Sequence, residues 1–214
     1  MEYFDCRAAY RAALRDRVRP LLRARGWRGT APTWTFTNEV GNRAIVNFQA
    51  SRYSNRWDYM FMVNLMVQPR PWIEYWNEQP GGEVGTDWGL WGSHLSGTCG
   101  LNRGHSSIDW GFRTEAESVA CFDEVIERLT DEALPTLDRM LDNDHLLDHF
   151  RRTSRNGLSH PLLLAEYGPS EELTAACRVL IDTPEDADWP TPFADSLHAW
   201  IMDRVGGSPH ERPA

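Results

Sequence analysis

Thr33-Trp34-Thr35-Phe36, Ala44-Ile45-Val46-Asn47-Phe48-Gln49-Ala50-Ser51-Arg52-Tyr53 and Tyr59-Met60-Phe61-Met62-Val63-Asn64-Leu65-Met66-Val67 alternate apolar and polar side chains. A period of two puts successive residues on opposite faces of a β-strand. The runs therefore read as three consecutive strands at 33–37, 43–53 and 58–67, the first two joined by the turn Asn38-Glu39-Val40-Gly41-Asn42. One face collects Trp34, Phe36, Val46, Phe48, Tyr59, Phe61, Val63 and Leu65, and helices must cover it. The other carries Thr33, Thr35, Asn47, Gln49, Ser51, Met60, Met62, Asn64 and Met66, with amides, hydroxyls and methionines in place of aliphatics.

Upstream, Cys6, Tyr10, Leu14 and Val18 mark the buried stripe of an amphipathic helix over 3–19, with Arg7, Arg11, Arg15 and Arg19 on another face. Pro20 should kink or restart it, and Gly26 should end it. Downstream, residues 68–92 combine three prolines and five glycines with Trp72, Tyr75, Trp76, Trp88 and Trp91. That is too aromatic for a disordered loop and too long for a hairpin, so it reads as an ordered excursion. Strands are expected again at 93–101 and 107–113, adding Leu95, Cys99, Leu101, Ile108, Trp110 and Phe112 to the apolar face, and His94, Ser96, Thr98, Ser107 and Asp109 to the polar one. Thr114-Glu115-Ala116-Glu117 fits a capping box for a helix with Val119, Phe122, Val125, Leu129 and Ala133 on its stripe, broken by Pro135. Further helices are expected to about 152 and over 160–167, 170–182 and 191–204.

This order implies an α+β fold: a five-stranded, mainly antiparallel sheet with helices packed on one face, plus C-terminal helices. The expected division is a sheet domain over 1–155, a helical extension over 156–205 and a tail over 206–214.

Composition narrows the chemistry. The 214 residues hold 41% hydrophobic and 25% charged side chains, ordinary for a globular protein. All 22 basic residues are arginine, in keeping with a high-GC genome, which excludes a lysine Schiff base or a phosphate-loop lysine. Residues 1–30 carry eight Arg against Glu2, Asp5 and Asp16, whereas residues 115–204 carry twenty acids against seven Arg. With a net charge of −9, the basic start reads as a solvated helix face and no nucleic-acid partner is expected. No apolar run is long enough to span a bilayer, and the N-terminus carries no leader pattern. Cys6, Cys99, Cys121 and Cys177 form no CxxC pair, which fits free thiols in the cytoplasm.

Three constellations are candidates for chemistry. Asn47, Gln49, Asn64 and Met62 on the polar face, with Trp88 and Trp91 from the excursion folding over it, would make a ligand-binding surface. His94 and Asp109 on the same face would make an acid–base pair if their strands are neighbours, the arrangement of a hydrolase. Asp142, His145 and His149 recur at i, i+3 and i+7, a spacing that presents three metal ligands from one helix face; without an HExxH motif the simpler reading is a polar surface. Gly104-His105-Ser106-Ser107 lacks a nucleophile elbow, and no glycine-rich nucleotide motif occurs, so no cofactor is expected.

The helix with Pro20, the Gly26-Trp27 exit, Trp34-Thr35-Phe36, Val46-Asn47-Phe48-Gln49-Ala50-Ser51-Arg52 and Phe61-Met62-Val63-Asn64-Leu65 together resemble the bacterial family catalogued as domain of unknown function 4304, over roughly residues 3–150. The resemblance implies an α+β fold, no established activity, and a loose link to bacterial conflict systems in which an immunity-type binding role would fit. Without a complete catalytic motif, the function expected is non-catalytic binding of a protein partner or small ligand. The excursion, rich in Trp with Arg70 and Tyr75, has the composition of an interface and suggests a homodimer.

Overall fold

The computed structural model describes residues 3–97, 110–153, 159–182 and 191–206. Its helices are α1 (Cys6–Ala13), α2 (Arg19–Ala24), α3 (Arg70–Glu78), α4 (Glu115–Arg128), α5 (Leu134–Met140), α6 (Asn143–Thr153), α7 (Ser159–Leu164), α8 (Glu171–Asp182) and α9 (Thr191–Gly206). Its strands are β1 (Arg28–Thr30), β2 (Thr33–Thr37), β3 (Arg43–Ala50), β4 (Tyr59–Gln68), β5 (Trp91–His94) and β6 (Trp110–Phe112). Contacts group the chain into two compact units, Met1–Gln68 with Gly85–Leu141, and Pro69–Val84 with Asp142–Ala214.

The first unit holds the sheet, and every strand pairing in it is antiparallel. The order runs β1-β2-β3-β4, and the far edge of β4 is shared by two short strands. β5 pairs with Asn64–Val67 and β6 with Tyr59–Phe61. The fold class is the α+β one expected, with six strands where five were read, because Arg28–Thr30 adds an edge. Cys99, Leu101, Ile108 and Asp109 lie outside the described residues.

The apolar face is the core. Trp34, Phe48, Phe61, Trp110 and Phe112 are fully buried. From α1, Tyr10 donates its hydroxyl to the Phe48 carbonyl at 2.8 Å, and from α4, Phe122 stacks on Phe61 at 5.5 Å between ring centroids. The cap of α4 is as read: the Thr114 hydroxyl accepts from the Glu117 N–H, while the Glu117 carboxylate reaches back to the Arg113 N–H.

The two prolines do not break their helices. Each is preceded by a π turn, over Leu14–Val18 and Leu129–Ala133, closed by bonds from Arg19 N–H to Leu14 O and from Leu134 N–H to Leu129 O. Pro20 and Pro135 cannot donate to the carbonyl four residues back and would press their rings against it; a wider turn relieves both problems. The buried residues carry the same signature. Cys6, Tyr10, Leu14, Val18 and Leu22 are spaced by four, as are Val125, Leu129, Ala133, Leu137 and Leu141. In a regular helix that spacing drifts by about 40° per step, and the extra residue of the π turn takes back about 100° of the accumulated drift. The break after α4 and α5 falls instead at Leu141 and Asp142.

That helix end is tied to the β2–β3 turn. Asn42, almost fully buried, and Asn38 both donate to the Leu141 carbonyl, at 2.8 and 3.2 Å, and Asn38 Oδ1 accepts from the Asn42 N–H. The turn's two amides thereby satisfy a C-terminal carbonyl that the helix leaves open.

The second unit is helical. Tyr75 of α3 meets Phe193 and Trp200 of α9 edge-on, and Trp76 stacks on Phe193. Arg70 and Arg204 alternate with Glu74 and Glu166 in a closed ring of ion pairs. Trp72 and Tyr75 are buried, so these aromatics of the excursion are spent on packing inside a folded unit.

Candidate functional site

Three backbone registers align one row of side chains across the polar face. Thr33 opposes Asn47, Asn47 opposes Asn64, and Asn64 opposes His94. Directly opposed residues share a face with Cβ atoms about 5 Å apart, close enough for short polar side chains to bond. Asn47 Nδ2 donates to Thr33 Oγ1 at 2.8 Å. Asn64 Nδ2 donates to Asn47 Oδ1 at 3.1 Å and to Gln49 Oε1 at 2.9 Å. Asn64 Oδ1 lies 2.9 Å from His94 Nδ1. With the Asn64 amide nitrogen committed to two oxygens, its own oxygen accepts, and the network assigns the proton to His94 Nδ1. The row is one polarised chain over four strands. Gln49 Nε2 and His94 Nε2 are not used in the bonds of the row, and both residues are exposed.

Met62 opposes Gln49 and, with Met60, is half-buried beside the row. At the other end of the face Ile45 and Gln68 are fully buried and Met66 nearly so. The Gln68 amide nitrogen donates to the carbonyls of Gly85 and Trp88, both at 2.7 Å. The Gly85–Trp88 stretch thus closes one end of the face, while the Gln49–His94 end is exposed. Trp88 is half-buried at the closed end. Trp91 corrects the expectation. It opposes Val67, which puts it on the helix-covered face, where it is buried and not part of the polar surface.

Asp109 lies outside the described residues, and the Asn64 amide bonded to His94 is neutral, which orients the ring without supplying a charge. Asp142 Oδ1 accepts from the His145 N–H at 2.8 Å and so caps α6, and the His149 ring lies edge-on to Phe150. Among the described residues no group of three His, Cys, Asp or Glu is placed to hold a metal ion. Burial pushes the Cys6 and Cys177 thiols above their ordinary range, away from the reactive thiolate. No helix among the described residues is long and apolar enough to cross a membrane.

The hydrogen-bonded row and the Gln68 anchor were not read from the sequence. The row had a signal: a β3–β4 hairpin centred between Asn55 and Arg56 pairs Asn47 with Asn64. No curated protein and no solved structure matches the chain. A family model matches residues 18–139, more than half of the 214 and most of the sheet-bearing unit. The chain therefore belongs to the family described as domain of unknown function (DUF4304).

Proposed function

We propose that the sheet-bearing unit is a cytoplasmic, non-catalytic recognition module that binds a protein partner through its polar face. The observation that carries this is the continuous row Thr33–Asn47–Asn64–His94, with Gln49 branching from it. Side chains already fixed by one another lose little rotamer freedom on binding, so the outward Gln49 amide donor and the His94 Nε2 acceptor are preorganised for a partner's complementary groups. Met60 and Met62 supply adaptable apolar contact beside them. The buried thiols of Cys6 and Cys177 suit a reducing compartment. A photo-crosslinking residue at Met62 tests the face against one at Val119, which lies exposed on α4 and not on its buried stripe as expected. The proposal expects a saturable adduct from position 62 in the native host that unlabelled protein competes away and that position 119 does not give. The same adducts from both positions, or none from 62, would overturn it.

A further inference from the structure

Between α8 and α9 of the second unit lies a cavity of about 300 Å³, at the lower end of the range for small-molecule sites. Its floor is Leu173 and Cys177, both nearly fully buried, and Ile181, Met202 and Val205 form its apolar walls. The α8 residues fall at i, i+4 and i+8, one stripe of the helix, and Met202 and Val205 lie three apart on α9. Ile181 is 40% exposed and Met202 51%, so the walls leave apolar surface uncovered among the described residues. The fixed charge of the rim is the Arg178 guanidinium. Arg178 and His198 line the cavity, and among the described residues no carboxylate does, although acids are plentiful in this half of the chain. Glu172 of α8 is taken by Arg151 and His160 instead.

An apolar trough with a guanidinium at its lip suits one kind of molecule. We propose that this cavity binds a small monocarboxylate with an alkyl tail of medium length, its tail between Leu173, Cys177 and Met202 and its carboxylate at Arg178. The space holds on the order of ten waters at about 30 Å³ each, which sets the size of the tail. The site lies outside the family match, so it is a property of this chain's helical unit and independent of the polar sheet face.

Decanoate, decanol and decyltrimethylammonium are the probes, titrated into the full chain below their aggregation limits by calorimetry, with the methionine methyl groups followed by NMR. Decanoate should bind saturably and move the Met202 methyl but not that of Met62. Affinity should rise roughly fourfold for each methylene added from octanoate to decanoate. Arg178→Gln should weaken decanoate roughly three- to fivefold, as for a partly exposed ion pair, and leave decanol unchanged. Met202→Trp, at a half-exposed position that leaves folding intact, should fill the trough and abolish binding. The proposal is overturned if decanoate does not saturate, if Met202→Trp binds it as the wild type does, or if the ammonium compound binds as well as the carboxylate.

Discussion

Replacing Asn64 by alanine cuts the polar row at its middle. Three hydrogen bonds disappear, to Asn47, Gln49 and His94, at 3.1, 2.9 and 2.9 Å. A neutral hydrogen bond contributes about 0.5–1.5 kcal/mol net, but Gln49 and His94 are exposed and regain water when released. The half-buried contact with Asn47 carries most of the loss, so Asn64→Ala should cost about 1–2 kcal/mol, and Asn47→Ala, which also releases Thr33, about the same. Because the two substitutions remove one shared bond, the double variant should cost less than their sum, by about 0.5–1 kcal/mol. Urea unfolding followed by tryptophan fluorescence and far-ultraviolet circular dichroism measures each corner of this cycle, with the m-value checked for constancy. Asn64→Ala with Asn42→Ala is the control pair: Asn42 bonds to Leu141 and Asn38, Asn64 to Asn47, Gln49 and His94, and their costs should add. Coupling below about 0.3 kcal/mol between Asn47 and Asn64 would mean that the row is not formed in solution, and the preformed surface would go with it.

Phe61→Ala should destabilise by about 3–5 kcal/mol in the same assay, since the ring is fully buried against Phe48, Tyr10 and Phe122; melting with the wild type would refute the face assignment. Asn42→Ala should cost about 1–3 kcal/mol, because it strips a buried donor from the Leu141 carbonyl, and a neutral result would show that the turn does not anchor the helix end. Burial raises the Tyr10 phenol above its ordinary value, so the stability tied to its neutral form is intact below about pH 10 and falls as pH rises beyond it. Tyr10→Phe should make the unfolding free energy fall less steeply between about pH 10 and 12, and an unchanged slope would remove Tyr10 from the alkaline limit.

Strand alternation alone separated Phe48 and Phe61 from Asn47 and Asn64, because one face of this sheet is dry and the other polar. Register was harder, since it depends on where a hairpin turns, and the residues between Ala50 and Tyr59 carry no two-residue turn signal. Trp91 was misplaced for the same reason: strand β5 begins two residues before its expected start, and only its pairing with Val67 fixes which way the ring points. The excursion over 68–92 looked uniform because its aromatics are spread along it, yet Trp72 and Trp76 belong to one unit and Trp88 and Trp91 to the other. Pro20 was read as a kink or restart and Pro135 as a break, from their chemistry alone. The four-residue spacing of their buried neighbours shows that the helices continue.

A π turn holds one residue more than the α turn it replaces. In terms of chain length, Leu14–Val18 and Leu129–Ala133 each carry a surplus residue that the flanking segments do not need. A relative lacking one residue there, and lacking the proline that follows, can close a regular turn and still point Tyr10 and Leu22, or Val125 and Leu137, at the sheet. A deletion inside α4 has no such slack and would rotate everything beyond it by about 100°. Length variation in these two helices should therefore concentrate in those windows, where a gap in an alignment marks a helix made regular and not an element lost.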